Sequence, residues 1–411
     1  MTHLRLPASV LCLFVCLTLL TPTVSAADKS NYQTGFTRWR AADGGFAAWQ
    51  RDGVSLAADG KLQFDPLTAH PGSDPYPAGG YYGHNYYNGG SFFVGETTSP
   101  GVPTSPVVPT SFGFSEAIAS WNADTPAGSW IETQIRVQLG TRWTKWYNLG
   151  IWAADHSTID RHSVKLQGDA DGYVAVDTLV LAKKTIANAF QLKLRLFSTN
   201  GAIPSVRNVS LAYSTTIKKS STLPAGDPRL WNKLLNVPEC SQMVYPDGGE
   251  VWCSPTSTSM VLGYWNHDTG PCEPRVRAAV EGVYDWVYDG HGNWPFNTAY
   301  AATQGYEGYV ARFTSLAQLE PWIAGGVPVV MSIAWKKGDL TGSTIPSTNG
   351  HLLVLVGFDP SGNPIINDPA AASDAQVRVT YQRSEFEPLW LEASGGTVYL
   401  IYPPGLTVPS L

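Results

Sequence analysis

Apolar and polar residues alternate in short runs over the first half of the chain and follow a longer period over the second. From Trp130 to Leu139 the two classes alternate over most of the run, which stops at Gly140; this is the period of a strand with one buried face. A second run spans Trp143 to Trp152, and the pair predicts an antiparallel hairpin. Phe190 to Phe197 alternates again and stops at Asn200-Gly201, and Val206 to Tyr213 is expected to return beside it. Short strands, frequent turns and no long helical period predict an all-β sandwich or jelly roll, assigned to residues 27–213. Residues 214–227 are polar and turn-forming and read as a linker. Beyond them the period changes. Thr258, Val261, Leu262 and Trp265 share one helical face, and helical spacing recurs from Val276 to Val287 and from Leu316 to Ile323. Strands are predicted at Val327 to Ile333, His351 to Phe358, Pro364 to Asn367 and Val398 to Tyr402. Helices followed by a sheet predict an α+β domain over residues 228–411.

Composition narrows the class of protein. Of 411 residues, 43% are hydrophobic and only 15% charged, which excludes disorder as the dominant state. Lys and Arg number 27 against 33 Asp and Glu, with no long run of either sign, so the chain lacks a nucleic-acid or polybasic membrane footprint. Residues 1–26 read as a secretory signal: Arg5, an apolar run from Val10 to Leu20, then Val24-Ser25-Ala26 at the cleavage positions. The apolar run is shorter than the roughly 18–20 residues that span a bilayer. The expected location is therefore secreted, extracellular or periplasmic, with no stable membrane insertion after cleavage. Cleavage removes Cys12 and Cys16 and leaves Cys240, Cys253 and Cys272. An odd number means either one disulfide and one thiol, or three thiols.

Cys253 stands where the turn-rich segment Pro246-Asp247-Gly248-Gly249 meets the first predicted helix, and Pro255 suits a first helical turn. A thiol at a helix N-terminus feels the positive end of the dipole, which favours thiolate, and an imidazolium neighbour would complete a nucleophile. His351 opens a buried strand. That strand turns at Pro360-Ser361-Gly362-Asn363 and returns as Pro364 to Asp368, so a carboxylate at Asp368 is available to hold the imidazole tautomer. Asn367 is the rival for this role, and alternation sends the two side chains to opposite faces. Gln242 lies eleven residues before Cys253 and offers an amide that, with the Cys253 N–H, can stabilise an oxyanion.

These residues also carry a resemblance. Pro238-x-x-Ser241-Gln242, Cys253-Ser254-Pro255-Thr256-Ser257 with Gly263-Tyr264-Trp265, Gly350-His351 with Val356-Gly357-Phe358-Asp359, and Asn367-Asp368-Pro369 resemble the papain-like cysteine peptidases of the bacteriocin-leader, or double-glycine, peptidase-like group. Over about Val237 to Asp368 the resemblance implies a papain-like fold, Cys253 as nucleophile, His351 as general base and acid, Asp368 as orienting residue, Gln242 as oxyanion donor and a peptide or protein substrate. Ser254 stands where these enzymes commonly carry glycine. Pairing Cys240 with Cys272 would leave Cys253 as the free thiol; the alternative of three thiols stays open. Two other readings remain: a catalytically inactive wall- or glycan-binding protein, and an amidase or acyl transferase on the same scaffold.

Other signals weigh less. The aromatic run Tyr81 to Phe93 reads as core and loop packing before a platform for sugars, although a polysaccharide or cell-wall ligand is a candidate partner of the N-terminal domain. Asp169-Ala170-Asp171-Gly172 resembles the start of a calcium loop, but Val180 occupies its twelfth position. No His or Cys spacing suits zinc, and no cofactor or metal is expected. Asn208-Val209-Ser210 fits a glycan acceptor.

Overall fold

A computed structural model describes residues 32–72, 92–97, 105–216 and 223–411. The expected signal at 1–26, most of the aromatic run and residues 217–222 of the expected linker lie outside the described residues. The strands that organise the N-terminal half are β1 (Thr34–Arg40), β2 (Glu116–Asp124), β3 (Ser129–Leu139), β4 (Tyr147–Trp152), β5 (Gly172–Ala175), β6 (Thr178–Leu181), β7 (Ala187–Ser198) and β8 (Ser205–Ser214). One antiparallel sheet runs β5-β6-β2-β8 and continues into the short strands Leu62–Phe64 and Val54–Leu56, with β1 also on β8. A second sheet is built on β3, which pairs with β4 and with β7. Ala117, Ala119 and Trp121 of the first sheet and Ile135, Leu192 and Leu194 of the second share one buried core, so the two sheets form a sandwich.

The predicted hairpin is present: Ile135 lies opposite Tyr147 and Ile131 opposite Trp152. The expectation that Val206 to Tyr213 returns beside Phe190 to Phe197 is overturned. β7 pairs with β3 in the second sheet, whereas β8 pairs with β2 in the first, so residues 199–204 cross the sandwich. Alternation decides which face of a strand is buried; it carries no information on which sheet the strand joins.

The C-terminal half contains α1 (Cys253–Trp265), α2 (Glu273–Val283), α3 (Trp294–Thr303), β9 (Glu307–Arg312), α4 (Glu320–Ala324), β10 (Val329–Trp335), β11 (Thr348–Phe358), β12 (Pro364–Asn367), α5 (Arg383–Ser394) and β13 (Thr397–Tyr402). Its antiparallel sheet runs β9-β13-β10-β11-β12 and ends on Arg378–Thr380. The order of helices then strands holds only in part, because β9 precedes α4 and α5 lies between strands. α3 escaped the pattern since seven of its ten residues are buried, which leaves no polar stripe to mark a period. α5 carries Pro388 in its interior and breaks the pattern for a different reason.

The outer face of the first sheet docks on the C-terminal half. Along β2, Ala117, Ala119 and Trp121 face the sandwich, and the intervening Ile118, Ser120 and Asn122 are also buried. Ile118 joins the C-terminal core. Ser120 Oγ accepts from the Val310 N–H at 2.8 Å, and Asn122 Nδ2 donates to the Gly308 carbonyl at 2.6 Å. Arg38 pairs with Glu307 and donates to the Tyr402 hydroxyl. Asn208 belongs to this seam: it is 1% exposed, donates to Asn122 Oδ1 and accepts from Arg38 Nε. That burial overturns its reading as a glycan acceptor. Asp169 is likewise used locally, accepting from the Tyr147 hydroxyl and from the N–H groups of Asp171 and Gly172.

Arg312 closes the seam at one end. Its side chain is 4% exposed and donates to Glu116 Oε2 and Ser214 Oγ of the N-terminal half, each at 2.6 Å. Removing it leaves Glu116 beside an interface without its partner. Arg312→Ala is expected to lower the unfolding free energy by about 2–4 kcal/mol, read from urea denaturation of the full chain.

Candidate active site

Cys253 is the first residue of α1. Trp252, which precedes it, makes no side-chain cap, so the first N–H groups of the helix are left to whatever occupies the space in front of them. The Cys253 thiol is free, and the residue as a whole is partly exposed. Ser254, next to it, is buried with its hydroxyl 2.9 Å from that of Tyr399 on β13; the hydroxyl at the position where glycine is common is thus taken up by the sheet beneath the helix.

His351 lies in β11 and is 2% exposed. Its Nε2 is 2.7 Å from Asp368 Oδ1, and the Cys253 sulfur acts electrostatically on its ring. Asp368 follows directly after β12, the antiparallel neighbour of β11. Its carboxylate is fully buried and accepts from the Ala370 N–H at 3.0 Å, the Thr344 hydroxyl at 2.9 Å and the Tyr381 hydroxyl at 2.8 Å, besides His351. Asn367 faces away: its Nδ2 donates to the carbonyls of Val237 and Pro238. The geometry separates the two rivals as strand alternation requires.

Gln242 is 2% exposed and lines the same cleft as Cys253. Its Nε2 donates to the Gly249 carbonyl at 2.7 Å, which leaves a second amide hydrogen, and its Oε1 has no partner. Gly249 is needed for this approach: a Cβ there would lie 2.0 Å from the Gln242 carbonyl oxygen. The Gln242 backbone N–H donates to the Pro369 carbonyl at 2.8 Å, and Ser241 Oγ to that of Ala371 at 2.5 Å, so the Gln242 loop rests on the turn that follows Asp368. A disulfide joins Cys240 to Cys272 at the start of α2. This settles the alternatives left by the odd cysteine count and leaves Cys253 as the thiol.

The charges of the three groups are coupled. Burial alone would raise the Cys253 thiol, but the hydrogen bond and charge of His351, with the N–H groups of Leu352 and Ser254, outweigh it and bring the thiol below its ordinary value. Burial opposes the charged form of His351 too; Asp368 and the Cys253 sulfur reverse that and push the imidazole up to about 10. Asp368 is held below the usual carboxylate range, with burial again overcome by His351 and the Tyr381 hydroxyl. Net, the site favours a thiolate–imidazolium pair.

Comparison with known proteins agrees with this architecture. Residues 35–214 match the family described as the peptidase C39 N-terminal domain, and residues 234–398 match the peptidase C39-like family. The chain belongs to the papain-like C39 peptidase superfamily. Among solved structures, a candidate C39-like peptidase from Bacillus anthracis is 20% identical, covering 41% of this chain and 97% of its own, with a TM-score of 0.29. A family two carbohydrate esterase from Cellvibrio japonicus is 12% identical over 56% of this chain and 50% of its own, with a TM-score of 0.18. No curated protein matches.

In this C39-like chain the sequence pattern left several supporting residues unmarked. Thr344 and Tyr381 hold the far oxygen of Asp368. Trp335 sets its ring edge-on to His351, with centroids 5.7 Å apart. The cleft in front of Cys253 has a volume of about 1200 Å³ and is lined from both halves of the protein.

The pKa directions fix the pH dependence of thiol reactivity. The thiolate forms as pH rises through the lowered Cys253 value, and the imidazolium that supports it is lost only as pH rises through about 10. Alkylation of Cys253 by iodoacetamide is therefore expected to reach its plateau below the ordinary thiol value of about 8.5. His351→Ala should move the inflection upward, measured as alkylation rate against pH.

Proposed function

We propose that the protein is a secreted cysteine peptidase that hydrolyses peptide bonds through Cys253, His351 and Asp368, with Gln242 as oxyanion donor. The observation that carries this reading is a free cysteine at a helix start, its thiol lowered by an imidazole that a buried carboxylate holds at Nε2. Membership of the C39 superfamily supports a peptide or protein substrate. The signal-like residues 1–26 support secretion, and so does the Cys240–Cys272 disulfide, since such bonds persist in oxidising compartments.

The reaction follows from the atoms at hand. Cys253 Sγ attacks the scissile carbonyl carbon, and the oxyanion accepts from the Cys253 N–H and the second amide hydrogen of Gln242. With Nε2 engaged by Asp368, His351 uses Nδ1 to give its proton to the leaving amine as the C–N bond breaks. The thioester remains on Cys253. Water then loses a proton to His351 and adds to the acyl carbon, and the C–S bond breaks to release the acid. Asp368 keeps the imidazole in place and stabilises its positive charge throughout. On the same scaffold an amine in place of water gives acyl transfer.

A polysaccharide ligand for the N-terminal half has no observation in its favour among the described residues. Trp146, a half-buried candidate, is stacked by the guanidinium of Arg136 and the ammonium of Lys193.

Cys253→Ala is expected to abolish hydrolysis of a peptide library. Gln242→Ala is expected to lower kcat by about 10²–10³, the usual loss for one oxyanion donor. A library cleaved equally by the wild-type chain and Cys253→Ala would exclude this reading.

A further inference from the structure

The cleft has a wall that the C39-like half does not supply. β5 and β6 form a hairpin at the edge of the first sheet, with Ala175 opposite Thr178 and Val176-Asp177 at the tip. Its inner face belongs to the sandwich, where Leu179 is fully buried. Its outer face carries Tyr173, Ala175 and Val180, and all three line the cleft together with Cys253. Tyr173 is 51% exposed. The tip is anchored to the other half, because Asp177 Oδ2 accepts from the Trp294 N–H at the start of α3 at 2.7 Å. Val176 and Asp177 at the tip line the same cleft as Cys253.

Two features mark the hairpin as more than a brace. Val176 has φ +59°, a left-handed conformation that a β-branched residue rarely adopts, and such conformations concentrate at functional sites. The exposed apolar side chains also converge here, since Met243, Val251 and Tyr288 are 44%, 60% and 42% exposed and line the same cleft. Two carboxylates of this wall are already engaged. Glu116 is paired with Arg312, and Asp177 accepts from the Trp294 N–H and the Thr178 hydroxyl. What the hairpin presents to an incoming chain is therefore apolar.

We propose that the β5–β6 hairpin of the N-terminal half is a specificity-determining wall of the substrate cleft, and that Tyr173 and Val176 select a peptide with a large apolar side chain. This rests on the peptidase reading for the substrate being a peptide. Burying a large apolar side chain against the ring and the valine stabilises the complex in proportion to the apolar area covered, and glycine at that position forgoes it.

The test uses peptides varied between Gly and Phe at successive positions and reads two quantities. One is equilibrium binding to the full chain carrying Cys253→Ala; the other is hydrolysis by the full chain with Cys253 intact. Tyr173→Ala and Val176→Gly are each expected to lower the Phe-over-Gly preference about tenfold, and in hydrolysis the change should fall mainly on KM. Glycine suits the left-handed backbone at 176, so the second variant keeps the hairpin. A preference unchanged in both variants, or no Phe-over-Gly preference in binding, overturns the proposal. Binding that responds to the hairpin while no peptide is cleaved supports the wall and overturns the peptidase reading instead.

Discussion

A carboxylate sealed from water must find inside the protein everything that water would have supplied. Taking it out of solvent costs several kcal/mol, and only a counter-charge and a full set of hydrogen bonds offset that. Asp368 meets the requirement with four donors from different parts of the chain: the His351 ring on β11, the Thr344 hydroxyl before it, the Ala370 N–H in the following turn and the Tyr381 hydroxyl before α5. None of these can move far without leaving an oxygen unpaired. The geometry of the thiol follows from this, because the imidazole that faces Cys253 is aimed by the carboxylate behind it.

The same constraint locks the register of the sheet. Val354 is paired with Asn367 across β11 and β12. A slip of one residue would exchange the faces of Asn367 and Asp368, placing an amide behind the histidine and a charge against the carbonyls of Val237 and Pro238. Asn367 is held as firmly to its own face, since it fastens the segment that leads to Cys240 and Gln242. Two adjacent polar residues thus hold the two sides of the cleft.

Much of this was legible in the sequence. The strand period of Trp130 to Leu139, the helix beginning at Cys253 and the return of the chain from His351 to Asp368 all depend on local alternation and turn residues, which a single sequence displays. The C39-like half was recognisable because its polar positions sit at element ends with distinct neighbours. What stayed hidden depends on partners distant in the chain. The sheet joined by β8, the buried α3 and the Thr344 and Tyr381 contacts to Asp368 have no local signature. The docked face of β2 was hidden for a related reason. Ser120 and Asn122 look like solvent-facing positions of an ordinary sandwich strand, and they are buried because their hydrogen-bond partners, Val310 and Gly308, come from the other half. Asn208 misled in the same way.

The disulfide and the thiol place opposite demands on the chain's surroundings. On the peptidase reading Cys253 acts only while its sulfur is unoxidised, and the bond between Cys240 and Cys272 survives only where reductants are weak. What reconciles them is access. Cys240 is fully buried, so a reductant must approach the bond through Cys272, whereas Cys253 opens onto the cleft. One sulfur of the structural bond is thus closed to solvent, while the free thiol belongs to a residue that the cleft reaches.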